Sequence, residues 1–320
     1  MTKGFMMISA AIMALMAGTS ALARGSFFQI VPVPNSTSTT VFGINDSGII
    51  TGSWLDASGL EHGYVGPASG TSYTSFDDPN SPGPGTEPRA INNNGYITGF
   101  SDSQNGATTG DIPFERDPGG NITEITKKGK LLNYLAQGIN NKNNEFAASY
   151  VNSSLSVVGY LGESGTYKKA IKLSGIANTG VAGRGINNDG DIVGWYYDSS
   201  GVQHGFLMSG GVATTLDPNE SNLASNVLEA INDKGVITGQ WTDTSGVIHG
   251  YTYHTKRQKL TEIRVRSSKS FVQAWGINNQ GMVAIDSDAG NFIYCPPRVT
   301  CSFAAHSPYK PAVRSKPQLP

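Results

Sequence analysis

Hydrophobic and polar positions along this chain alternate in short bursts. Runs such as Ile49 to Leu55 and His62 to Val65 are β-prone, and Asn-x-x-Gly or Asp-x-Ser-Gly phrases bound them. In such a phrase the Asn or Asp side chain accepts a backbone hydrogen bond about two residues on, and Gly takes the positive-φ position that closes a hairpin. A fourth run follows: Tyr73-Thr74-Ser75-Phe76 before Asp77, and Ala213-Thr214-Thr215-Leu216 before Asp217. The pattern predicts units of four short strands.

The units repeat. Phe42-Gly43-Ile44-Asn45 returns as Arg89-Ala90-Ile91-Asn92, Gln137-Gly138-Ile139-Asn140, Arg184-Gly185-Ile186-Asn187, Glu229-Ala230-Ile231-Asn232 and Trp275-Gly276-Ile277-Asn278, at steps of 47, 48, 47, 45 and 46 residues. One four-stranded sheet cannot bury both its faces, so copies must stack. Four strands at this period match a propeller blade. Six copies predict an all-β chain, a six-bladed β-propeller of four-stranded antiparallel blades. A β-solenoid is the alternative. Phe27-Phe28-Gln29-Ile30-Val31 resembles a fourth strand, and Ile277 to Tyr294 supplies three. The N-terminal strand is therefore expected to complete the C-terminal blade and close the ring, which removes open sheet edges. Within the phrase, Ile reads as a core residue of each inner strand and Asn as a turn-maker.

Three copies add His62-Gly63-Tyr64, His204-Gly205-Phe206 and His249-Gly250-Tyr251, each His 17 residues after its Asn. Copies two and three carry Ile112-Pro113-Phe114 and Val158-Gly159-Tyr160 there, and copy six compresses to Gly290-Asn291-Phe292. These phrases resemble the bacterial extracellular HAF-repeat family, named for a His-Ala-Phe phrase within a Gly-Ile-Asn unit; here Gly takes the middle position. The resemblance covers about Val41 to Tyr294. It implies an exported β-rich protein, with no established activity and no catalytic residues to transfer. Members often carry a C-terminal sorting helix, which this tail lacks.

The ends fit export. Lys3 precedes an apolar run from Phe5 to Ala17, and Ala21-Leu22-Ala23 fits a small-x-small cleavage pattern. Residues 1–23 read as a signal peptide, 24–303 as the propeller and 304–320 as a disordered, Pro-rich basic tail. A secreted protein, extracellular or periplasmic, is expected, with no membrane span after cleavage. An uncleaved anchor is the alternative, although the apolar run is short for a bilayer. Cys295 and Cys301 are the only cysteines, and in an exported chain such a pair is expected to form a disulfide. Two free thiols are the rival reading.

Composition adds two limits. Charged residues make up 15% of the chain and formal net charge is -1, which argues against nucleic acid as the main partner. A monomer is expected. No phosphate loop, nucleophile elbow or His-Glu-x-x-His helix is present, so no cofactor is expected.

The recurring polar residues have structural explanations. The three histidines could suggest a metal site, but Ile112 and Val158 at the same position favour a packing role. Asp46, Asp56, Asp286 and Asp288 could suggest calcium, yet one or two carboxylates per loop do not make a site for that ion, and no metal is expected. Trp54, Trp195 and Trp241 read as inter-blade packing residues, with a sugar-stacking platform as the alternative. The variable letter before each phrase is more informative: Phe42, Arg89, Gln137, Arg184, Glu229 and Trp275. In a propeller these enter the inner strands, so they are expected to ring one mouth of the channel and bind a ligand. The expected function is a binding scaffold for a glycan or protein, without catalysis. The alternative is a polysaccharide hydrolase or lyase using Glu87 and Glu229 as its acids, assembled from distant blades.

Overall fold

A computed structural model describes residues 25–70, 72–81, 85–102, 111–132, 134–218, 221–301 and 303. The expected signal peptide, 1–23, and tail, 304–320, lie outside the described residues. Six antiparallel sheets follow one another along the chain. Blade one comprises Ser38–Ile44, Ile49–Leu55, Glu61–Pro67 and Thr74–Phe76. Blade two comprises Thr86–Ile91, Ile97–Ser101, Ile112–Arg116 and Ile122–Glu124. Blade three comprises Ala136–Ile139, Phe146–Val151, Val157–Glu163 and Thr166–Ala170. Blade four comprises Gly180–Ile186, Ile192–Tyr197, Gln203–Ser209 and Val212–Thr215. Blade five comprises Leu223–Ile231, Val236–Asp243, Ile248–His254 and Lys259–Glu262. Blade six takes Val272–Ile277, Val283–Ser287 and Phe292–Cys295 from the end of the chain. Ser26–Gln29 pairs with its Phe292–Cys295 strand, Ser26 opposite Cys295 and Gln29 opposite Phe292. The ring is thus a closed six-bladed propeller.

One blade departs from the four-stranded expectation. A hairpin of Thr126–Lys127 and Lys130–Leu131 joins blade three, with Thr126 parallel to Thr166. Its sheet therefore has six strands. The physical reason lies in the longer connection between blades two and three, which has enough chain to fold back on the outer edge and cover it.

The third letter of the His-Gly-aromatic phrase is core. Tyr64, Phe114, Tyr160, Phe206 and Tyr251 are all at or below 1% exposure; four pack between blades, and Tyr160 packs within blade three and against Ile125 and Leu132 of the connection before it. The Gly or Ala of the inner phrase answers to a close approach. A Cβ on Gly138 would stand 2.4 Å from the Arg184 carbonyl oxygen, and one on Gly185 would stand 2.7 Å from the Ala230 Cα. Inner strands of neighbouring blades abut there, so only the smallest residues fit.

Each phrase Asn makes the expected turn. Asn45 Oδ1 accepts from the Ser47 and Ile49 amides, both at 3.0 Å, and Gly48 takes φ 72°. The same side chain also ties blade to blade. Its Nδ2 donates to the backbone carbonyl of the next copy: Asn45 to Asn92, Asn92 to Asn140, Asn187 to Asn232, Asn232 to Asn278 and Asn278 to Asn45. The following residue adds a second circle. The amides of Asp46, Asn93, Asn141, Asn188, Asp233 and Asn279 each donate to the side-chain Oδ1 of the next member, and Asn279 returns to Asp46. This outer belt is closed across every blade junction. It explains a recurrence the turn does not need, since the position after the phrase Asn is always Asn or Asp.

Cys295 and Cys301 form a disulfide, with Cα atoms 5.5 Å apart. Among the described residues no helix is long and apolar enough to cross a membrane.

Candidate functional site

The six inner strands share a defect at one place. In each ladder the register shifts at the residue preceding the Gly or Ala. The residues left without a partner are Phe42, Arg89, Gln137, Arg184, Glu229 and Trp275, the last together with Gly276. A β-bulge of this kind re-aims a side chain out of the regular pleat. Repeated around a ring, it turns six side chains toward the channel.

Five of the six, all but Arg184, line one cavity of about 70 Å³, and Arg184 reaches the group through Glu229. Below them the six phrase isoleucines narrow the channel, because they line this cavity and a second one of about 50 Å³ on the belt side. Ile44, Ile91, Ile139, Ile186, Ile231 and Ile277 therefore serve the channel axis, and blade-to-blade packing only in part. The bulge residues also stand deeper than the expected mouth: Phe42, Gln137 and Glu229 are buried, and Arg89, Arg184 and Trp275 half-buried. All but Gln137 follow three or more residues of inner strand, so the group sits within the ring and not at its edge.

Arg89 is the centre of one half of the cluster. Its guanidinium carbon lies 4.2 Å from the Phe42 ring centre, 4.9 Å from Trp275 and 5.3 Å from Phe100. Such faces attract a cation more strongly once water is excluded. Its Nη2 pairs with Glu87 Oε1 at 2.5 Å. Burial pushes the Glu87 carboxyl up to about 7, against the opposing pull of Arg89. In the other half, Glu229 meets Arg184 Nη1 at 3.6 Å and accepts from Gln240 Nε2 at 3.1 Å.

The cluster is rich in donors. Arg89 Nε and Nη1, Arg184 Nε, Gln137 Nε2 and Trp275 Nε1 are buried without a hydrogen-bond acceptor among the described residues. Gln240 Oε1 is the one buried acceptor of the cluster in the same condition. Phe100 and Gln240 belong to second strands, and nothing in the repeated phrase marked them.

The two candidate acids differ in their setting, although both act on the charge of Arg89. Glu229 lines the cavity and Glu87 does not. Each is already held by an arginine, so neither carboxylate stands free beside the other as acid chemistry on a glycosidic bond requires.

The histidines stand on the outer parts of their blades. His62 lies between Asp77 (2.9 Å to Nδ1) and Asp56 (3.7 Å to Nε2). His204 lies between Asp217 and Asp198, and His249 between Glu262 and Asp243. One acid on each ring nitrogen fastens the second hairpin turn to the outer edge of the blade; it does not create one shared coordination point. For His204, burial opposes the charge, but Asp217 and Asp198 outweigh it and raise the pKa. Among the described residues no cluster of three His, Cys, Asp or Glu side chains is placed to hold a metal ion. Trp54 and Trp241 stack on His62 and His249 at 4.6 and 4.1 Å. Their ring partners lie within their own blades, while Trp241 shares a core cluster with Val193 of blade four and Trp54 packs against one that includes Ala284 and Ile293 of blade six.

No family model matches this chain, and no curated protein does. Among solved structures it is similar to TolB from Acinetobacter baumannii, at 12% identity and TM-score 0.54, over 79% of this chain and 64% of that one. A gluconolactonase from Xanthomonas campestris shows 10% identity and TM-score 0.48 over 88% of this chain and 98% of its own. A mutant Aleuria aurantia lectin in complex with alpha-methyl-L-fucoside shows 12% identity and TM-score 0.46 over 85% and 99%. At such identities the likeness is one of fold.

Proposed function

We propose that this chain is an exported binding scaffold that seats one end of a glycan or protein ligand on the bulge cluster and performs no chemistry there. The convergence of the six bulges carries this reading. In every copy the residues that hold the ring recur, while the bulge residue varies among five residue types, Arg alone occurring twice. Burying two arginines and two carboxylates costs stability that a hydrophobic plug would not, which favours a role in recognition. The surplus of donors suits a ligand end rich in acceptor oxygens, a saccharide hydroxyl edge or a carboxylate. The small cavity suits an end of that size and not a whole chain. Export rests on residues 1–23 and on the disulfide, which is characteristic of oxidising compartments. Membership of the HAF-repeat family rests on the His-Gly-aromatic and Gly-Ile-Asn phrases.

The test is retention of the chain starting at Arg24 on a panel of immobilised glycans, beside Arg184→Gln, Trp275→Phe and the triple Arg89→Ala/Arg184→Ala/Trp275→Ala. Loss of retention in variants that keep their β circular dichroism supports the reading. Undiminished retention in all three overturns the channel site. Turnover of a panel glycan that disappears in Glu229→Gln would replace binding by catalysis.

A further inference from the structure

A larger cleft opens on the other side of the propeller. It has a volume of about 640 Å³ and lies between blades five and six. Asn232 and Asn279 line both it and the belt-side cavity, so it belongs to the face opposite the bulge cluster. Its volume falls in the range of pockets that hold drug-sized ligands.

Its charge is one-sided. Lys234, His254, Arg257, Lys259 and Arg298 line it, and no Asp or Glu does. Over the whole chain Lys and Arg number 23 and Asp and Glu 24, so such segregation does not follow from composition. The cations come from three stretches of chain, around 234, 254–259 and 298. Lys234 sits in the turn between the first two strands of blade five, and Arg257 in the short 3₁₀ turn Thr255–Arg257. Lys259 opens the outer strand, and Arg298 follows blade six. All four are exposed, and none forms an ion pair with a carboxylate among the described residues.

We propose that this cleft binds an anionic saccharide, one bearing sulfate or carboxylate groups on successive rings. Spaced cations match spaced anions, and Thr252, Thr261 and Gln280 between them offer hydrogen bonds to hydroxyl groups. The single aromatic residue of the cleft, Tyr294, is only 2% exposed, so there is no open ring on which a nucleic-acid base could stack. The chain's own tail is no match, since it carries Lys310, Arg314 and Lys316 and no acid.

His254 reports on the same field. Its Nδ1 is buried without a partner among the described residues. Burial, Arg257 and Lys256 lower its pKa. In the ladder it faces Val236 and Lys259; the belt carboxylates Asp46 and Asp233 bond to Asn279 at the cleft's edge, and His254 itself pairs with no acid among the described residues. A bound anion offsets that positive field and favours the imidazolium. Binding then takes up a proton and strengthens as pH falls through and below the ordinary imidazole value of about 6.5.

The experiment is calorimetric titration of the chain with a sulfated tetrasaccharide, a uronic-acid tetrasaccharide, an uncharged tetrasaccharide, inorganic sulfate and single-stranded DNA. The two charged saccharides should bind, more weakly as salt rises, and the uncharged one roughly tenfold less tightly or not at all. Arg257→Glu/Lys259→Glu, on exposed positions that leave folding intact, should lose roughly tenfold or more in affinity; Arg298→Gln should lose less. Lys142→Glu, an exposed change on blade three, should lose nothing. Equal binding of the uncharged saccharide, an unaffected double variant, inorganic sulfate binding as tightly as the sulfated saccharide, or DNA binding more tightly than either would each overturn the proposal. Arg184→Gln leaves this binding intact, so the channel site can fail without the cleft failing.

Discussion

The two ends of the channel are built from adjacent letters of one repeated phrase, yet by opposite means. On the belt side, Asn and Asp recur at every copy, and amide-to-side-chain hydrogen bonds run round the ring from Asp46 through Asn279 and back. On the bulge side no two neighbouring blades present the same residue, and buried charges are held by rings and by each other. A belt in which each backbone amide finds a side-chain oxygen one blade on rewards uniformity, because a copy without Asn or Asp leaves the amide of the preceding blade unpaired. A bulge residue pairs with no strand, so the sheet leaves its identity free. The difference shows how a repeat scaffold separates the letters that specify the ring from the letters that can specialise.

The contrast can be tested by substitution, starting where the loss should be greatest. Asn232→Ala removes the bonds to the Lys234 and Val236 amides, at 3.0 and 2.9 Å, and the link to the Asn278 carbonyl. Three buried or half-buried hydrogen bonds at about 1 kcal/mol each predict a cost of about 3 kcal/mol, read as a shift in denaturant midpoint. A cost below about 1 kcal/mol would show that the belt is dispensable.

Arg89→Met should cost less, about 1–2 kcal/mol near pH 6, because its volume is kept and Glu87 can protonate. The cost should grow at pH 8. Glu87 in the folded protein sits at about 7, above its ordinary 4.5, so the stability of its protonated form is present below about 4.5 and lost as pH rises through 7. Without Arg89 the folded value rises further and more stability is lost on the alkaline side. Denaturation curves at both pH values check this; an equal cost at each would contradict it.

Asn93→Ala should show the smallest effect, about 0.5–1 kcal/mol. It interrupts the outer belt at an exposed residue, losing the bonds from the Asp46 amide and to Asp46 Oδ2. A cost as large as that of Asn232→Ala would mean that the belt acts as one cooperative unit.

Much of the fold was legible because it rests on local chemistry. The Asn-x-x-Gly turns, the period and the match of Phe27 to Val31 with a fourth strand led directly to blades and to ring closure. The extra hairpin at Thr126 was not legible, since it depends on where a connection happens to lie against the edge at Thr166. The six variable letters could be picked out as a set, and the structure gathers them. Their depth could not be read, because a bulge is a mismatch between two strands and leaves no mark on either one alone. The outer belt did leave a signal, the Asn or Asp after each phrase Asn, but the turn chemistry of the preceding residue masked it. Phe100, Gln240 and the cations of the cleft join their sites only through tertiary packing.

The most direct test sets the two ends of the channel against each other in one experiment: thermal midpoint and glycan retention measured together for Asn232→Ala and for Arg184→Gln. The account predicts that Asn232→Ala lowers the midpoint by several degrees and retains its ligand at temperatures where it is folded, while Arg184→Gln loses retention with little change in midpoint. Retention intact in Arg184→Gln, with the larger fall in midpoint on that side, would contradict it.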